Sequence, residues 1–146
     1  MAQGMPNTRA DTSRAGSAAT QSPDFSDPAH DPDDLAAILY TSGTTGRSKG
    51  VMLSRDNLAT NAQTLVTLWR FADTHVLLHA LPVFHTHGLF VATNCALLSG
   101  SALIFQRSFS PDAVLAALPQ ATVMMGVPTF YTRLLSGPRL TPDACA

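Results

Sequence analysis

The sequence predicts an α/β fold built on a mostly parallel sheet. Two patterns carry this prediction. From about Asp33 onward, short apolar runs alternate with segments of helical spacing, the order that places helices between parallel strands. The strand-like runs are also apolar almost throughout, as strands buried on both faces tend to be.

The elements follow in chain order. Leu35 to Thr41 (LAAILYT) is a short apolar run that ends in a glycine-rich stretch, which predicts a buried strand. Ser54 to Trp69 predicts a helix, with Leu58, Leu65 and Leu68 near helical spacing and Ser54 placed to cap its first turn. Val76 to Leu81 is the next strand, stopped by Pro82, and Gly88 to Leu98 is an apolar helix closed by Gly100. Ala102 to Gln106 is a strand. Asp112 to Leu118 is a helix opened by Pro111, with Ser110 as its cap. Thr122 to Val127 is a strand, and Thr129 to Leu135 begins a helix after Pro128.

Residues 1–32 read differently. They are rich in Ala, Ser, Thr, Asp and Pro, with few large apolar side chains beyond Phe25. Such a segment buries too little surface to offset its ordering entropy, so a disordered tail is expected there and a folded region over 33–146. Arg9 and Arg14 among small polar residues suggest a transit peptide, but Asp11, Asp24, Asp27 and Asp31 argue against one.

Charged residues make up only 13% of the chain, about half the usual quarter. A surface so poor in charge fits a piece that packs against more protein. The net charge is −1 with no basic stripe, which argues against nucleic acid as a partner. Cys95 and Cys145 match no metal-binding spacing and read as reduced thiols in a cytoplasmic protein. The apolar runs stop short of the roughly 18 residues of a membrane span.

The most informative stretch is Thr41-Ser42-Gly43-Thr44-Thr45-Gly46-Arg47-Ser48-Lys49-Gly50. Its glycines allow positive φ and close approach of the backbone to a ligand. Successive N–H groups can then form an anion-binding concavity, to which hydroxyls add donors and Lys49 adds a mobile charge. The spacing is not that of the common NTPase loop, because Gly50 rather than Ser or Thr follows Lys49. By composition alone the stretch is also a fair flexible linker.

In order, these ten residues resemble the signature loop of the adenylate-forming (AMP-binding) acyl-CoA synthetase superfamily, [ST]-S/T-G-[ST]-T-G-x-P/S-K-G, and Thr41 to Gly50 fit it at every position. The resemblance implies a fragment of that superfamily's large N-terminal domain and a loop that grips the β- and γ-phosphates of ATP. Thr41, Ser42, Gly43, Thr44, Thr45, Gly46 and Lys49 are the residues it assigns to this grip. A second stretch, Leu81-Pro82-Val83-Phe84-His85-Thr86-His87-Gly88-Leu89, resembles the family's aromatic-His block, in which the residue at His85 lines the acyl pocket. From the residues alone, a histidine is more often a satisfied core group than a ligand. The loop upstream favours a site role for His85 more than for His87, His75 or His79.

The segments LAAILYTSGTTGRSKGVMLS, TLVTLWRF, HALPVFHTHGLFVA and MGVPTFYTRLL are most similar to malonyl-CoA synthetases. A malonate-like substrate has a second carboxylate to hold, for which Thr86 and His87 are donors and Arg133 a charge. Arg133 reads equally well as a surface helix residue, and Met124, Met125 and Val127 read as core. The resemblance spans the last three quarters of this chain and a middle slice of the family's. It implies ATP, Mg2+ and coenzyme A in a full-length parent that joins a carboxylate to CoA. The blocks that hold Mg2+, the ribose and CoA are not found in this sequence, so the isolated chain is expected to be inactive. Two alternatives stand beside this one: a non-catalytic truncated remnant, and one part of a split enzyme that works with a complementing ligase fragment.

Overall fold

Two separate sheets organise the residues that the computed structural model describes, which are Ser26 and residues 28–41 and 49–142. The tail expected to be disordered lies largely outside them. All the elements fall within the unit Asp31–Ala146.

The first sheet is a hairpin. β1 (Leu35–Thr41) pairs antiparallel with β2 (Lys49–Ser54), in a register that sets Thr41 opposite Lys49 and Tyr40 opposite Gly50. The sequence reading had left β2 unassigned. Lys49 and Gly50 belong to the glycine-rich motif, so only Val51, Met52 and Leu53 were left to signal a strand. The first strand therefore stands outside the parallel sheet.

α1 (Arg55–Trp69) follows directly. Ser54 caps it as expected: its Oγ accepts from the Asn57 N–H at 3.2 Å, while Asn57 Oδ1 accepts from the Ser54 N–H at 3.1 Å. Two further N–H groups of the first turn, on Arg55 and Asp56, donate to the carbonyls of Asp34 and Pro32. This satisfies donors that a helix start leaves orphaned. At the other end Arg70 adopts the left-handed conformation (φ 54°), and Phe71 N–H reaches back to the Val66 carbonyl.

The second sheet is parallel, in the order β4-β3-β5, from β3 (Val76–His79), β4 (Ala102–Phe105) and β5 (Val123–Met125). Both faces are covered. Leu77 points to one face and packs with Phe71, Cys95 and Ala96, supported by Leu65 and Val66 of α1. Leu78 points to the other and packs with Val114 of α3 (Pro111–Ala117) and Leu134 of α4 (Pro128–Leu135). This two-sided burial fits the continuous apolar run of β3, whereas β1, expected to be a buried strand, leaves Leu35, Ile38 and Tyr40 exposed. Cys95 belongs to α2 (Asn94–Ser99) and is fully buried, and burial pushes its thiol above the ordinary value. Gly100 (φ 72°) ends α2 as anticipated. Ser110 stands at the N-cap of α3, but its side chain makes no capping bond there.

The helix expected over Gly88 to Leu98 is split. Residues His87–Thr93 form a π-helix that runs into α2. Such widened turns are rare and often mark functional sites.

Candidate functional site

The phosphate-loop candidates divide at the edge of the described residues. Ser42, Gly43, Thr44, Thr45 and Gly46 lie outside them. Thr41 closes β1 and Lys49 opens β2. Because these two residues are register partners, the seven residues 42–48 join ends that the sheet already holds together. The hairpin is closely packed at this point: a Cβ on Gly50 would come within 3.1 Å of Ile38 Cγ2. Lys49 is exposed at the base of the connection.

The acyl-wall candidates lie beyond the C-terminal end of β3, the central strand, where open parallel sheets place their ligands. After Pro82 the chain turns, with His85 N–H donating to the Pro82 carbonyl at 3.2 Å and Leu89 N–H donating to the His85 carbonyl at 3.0 Å. His85 is exposed and its ring lies 4.6 Å from that of Phe84. Thr86 is exposed at the start of the π-helix. Gly88 is buried against the turn, and a Cβ there would fall 2.2 Å from the Pro82 carbonyl oxygen. Only glycine lets the π-helix come this close.

His87 rather than His85 lines a cavity of about 330 Å³, together with Trp69, Phe71, Met124, Gly126 and Tyr131. The cavity opens at the end of β5, so Met124 and Met125, read from sequence as core, also face it. Trp69, Phe71 and Tyr131 were not anticipated there. Their aromatic character gave no signal that separates a pocket wall from ordinary packing.

Arg133 is exposed on α4, with its guanidinium 5.1 Å from the centre of the Phe109 ring. Phe109 in turn stacks on Phe130 at 3.8 Å. These contacts hold the cation against an aromatic face.

The sequence reading gave little weight to His79, yet it is completely buried at the end of β3. Its Nε2 lies 2.9 Å from the Gly88 carbonyl and 3.2 Å from Thr93 Oγ1. Among the described residues, no group of three or more His, Cys, Asp or Glu could hold a metal ion. Nor is any described helix long and apolar enough to cross a membrane.

The parallel sheet and the helices that cover it match the N-terminal domain of adenylate-forming enzymes. Residues 3–144 match the AMP-binding enzyme family, and the chain belongs to it. It is 40% identical over 105 residues to malonate–CoA ligase ACSF3, mitochondrial, of Homo sapiens, which covers 68% of this chain and 18% of that one. It is 38% identical over 109 residues to feruloyl-CoA synthase of Amycolatopsis sp, which covers 73% of this chain and 22% of that one. The crystal structure of ATP-bound MatB from Rhodopseudomonas palustris matches with a TM-score of 0.82 at 58% identity, over 90% of this chain and 26% of MatB. The chain thus spans about a fifth of the length of the curated relatives it matches.

Proposed function

We propose that this chain supplies the polyphosphate grip and part of the acyl wall of an AMP-forming acyl-CoA ligase that acts on a malonate-like carboxylate. In that reaction a carboxylate oxygen attacks the α-phosphorus of ATP and pyrophosphate leaves. The CoA thiol then displaces AMP from the acyl-adenylate to give the thioester. The observation that carries the reading is the Thr41–Lys49 pairing. It tethers both ends of a segment whose composition suits anion binding and sets a cation at one end. The likeness to ATP-bound MatB and to malonate–CoA ligases supports it.

On this reading, Gly43 and Gly46 turn backbone N–H groups toward the phosphates. Thr41, Ser42, Thr44 and Thr45 add hydroxyl donors, and Lys49 neutralises charge on the departing pyrophosphate. His85 and Thr86 border the acyl group, and Arg133 takes the second carboxylate by leaving the Phe109 face. Catalysis rests on positioning and charge neutralisation, with no general acid or base assigned. Folded region 33–146 and the cytoplasm are the setting proposed for it. ATP and CoA are its co-substrates, and a complementing ligase chain is its partner.

The test is calorimetric titration of the chain with ATP. Lys49→Ala should weaken ATP binding by roughly tenfold to a hundredfold, the worth of a charge-assisted hydrogen bond. An affinity that the substitution leaves unchanged would overturn the assignment.

A further inference from the structure

We propose that His79 is a positioning residue that sets the register of the π-helix and, through it, the placement of the His85–Gly88 wall; this rests on the acyl-wall reading above. Three observations meet at one carbonyl. Gly88 C=O lies 2.9 Å from His79 Nε2 and also accepts from Thr93 Oγ1 at 2.8 Å. Thr93 is five residues on from Gly88, the span of one π-turn. On its other side, Gly88 is pressed against the Pro82 carbonyl so closely that a Cβ would sit 2.2 Å from the oxygen.

The chemistry of the cluster fixes the ring's hydrogen. A carbonyl only accepts, so His79 must carry hydrogen on Nε2 and donate it. The single Thr93 hydroxyl hydrogen goes to the same carbonyl, which leaves its oxygen lone pair to receive from His79 at 3.2 Å. His79 Nδ1 is buried without a partner, and in the neutral ring with hydrogen on Nε2 it is a bare acceptor. A histidine serving only as packing has no need of an orphaned ring nitrogen, which an apolar side chain would avoid. The bond joins the last residue of the central strand to the second residue of the π-helix. His85, Thr86 and His87 all lie on the short path between these two anchors. The strand that sets the sheet therefore also sets where the wall begins.

The experiment uses the whole chain. Long-range nitrogen–proton correlation through the histidine rings should show His79 with hydrogen on Nε2 and none on Nδ1. Hydrogen on Nδ1 overturns the proposal, and this measurement needs no variant. His79→Leu should shift the ring signals of His85 and His87 while the amides of Ile38 and Val51 on the hairpin stay in place. His79→Gln, whose side-chain amide nitrogen reaches the position of Nε2, should bring the ring signals back. Unmoved rings in folded His79→Leu, or equal shifts in both variants, overturn the clamp. Malonate titrated into the same samples should bind on the order of tenfold more weakly to His79→Leu than to His79→Gln. Should the unsubstituted chain fail to bind malonate, the acyl-wall reading falls, while the ring signals still judge the clamp on their own.

Discussion

Gly88 shows how much one missing methyl can decide. Its Cα faces a carbonyl oxygen at a distance no Cβ could share, with the Pro82 carbonyl carbon only 2.8 Å from that Cβ position. The obstacle is backbone, which cannot swing aside as a flexible side chain does. Gly88→Ala should therefore destabilise the chain by about 1–3 kcal/mol, read as a lower midpoint in thermal unfolding; an unchanged midpoint would show that the turn yields freely. At this scale the sequence was legible where a residue acts on its own neighbours: Ser54 caps α1 and Gly100 closes α2 as expected. It was less legible where the action depends on a distant partner. His79 lies nine residues from the Gly88 carbonyl that it holds, and nothing in the local pattern separates it from a packed core histidine. His87 likewise enters the cavity only because β5 and α1 bring Met124 and Trp69 beside it.

At the scale of elements, the clearest device is the reciprocal pair of bonds between Ser54 and Asn57. It marks the point where β2 stops and α1 begins with no intervening loop. Ser54→Ala removes the side-chain acceptor for the Asn57 N–H and should cost about 1 kcal/mol, measured by denaturant unfolding. Ser54→Asp should retain most of that stability, because a carboxylate also accepts there and suits the positive end of a helix. Most strands and helices of the parallel region were legible because short apolar runs and Gly, Pro or Ser boundaries mark them locally. β2 was not, since its main credential is the pairing with β1 across the motif, and pairing is a long-range property. The π-helix was hidden for a related reason. Gly-Leu-Phe-Val-Ala-Thr reads as ordinary helix, and the widening coincides with contacts from His79 and Thr93 to Gly88.

Across the whole molecule, much apolar surface faces solvent. Phe84 is 81% exposed, Tyr40 75%, Met52 72% and Leu97 70%. A cavity of about 340 Å³ between α1 and α2 is lined by Leu58, Ala62, Leu97 and Leu98. With 13% charged residues, few charges are available to keep such faces apart, and apolar surface of this kind favours association with protein. The purified chain should self-associate as concentration rises, and Met52→Lys with Leu97→Lys should reduce it, as followed by light scattering. A strictly monomeric unsubstituted chain would contradict this. The low charge had hinted at such behaviour, but which side chains stay uncovered depends on how the sheets are dressed. One consequence of the Thr41–Lys49 pairing reaches beyond the site. The two residues that bound the connection are already paired by the sheet, and doubling the length of a flexible loop between such ends costs only about 0.6 kcal/mol of closure entropy. Splicing Gly-Ser repeats into it should thus leave the melting temperature within a few degrees while abolishing affinity for ATP. Nucleotide recognition would then be a detachable cargo on a scaffold that folds without it.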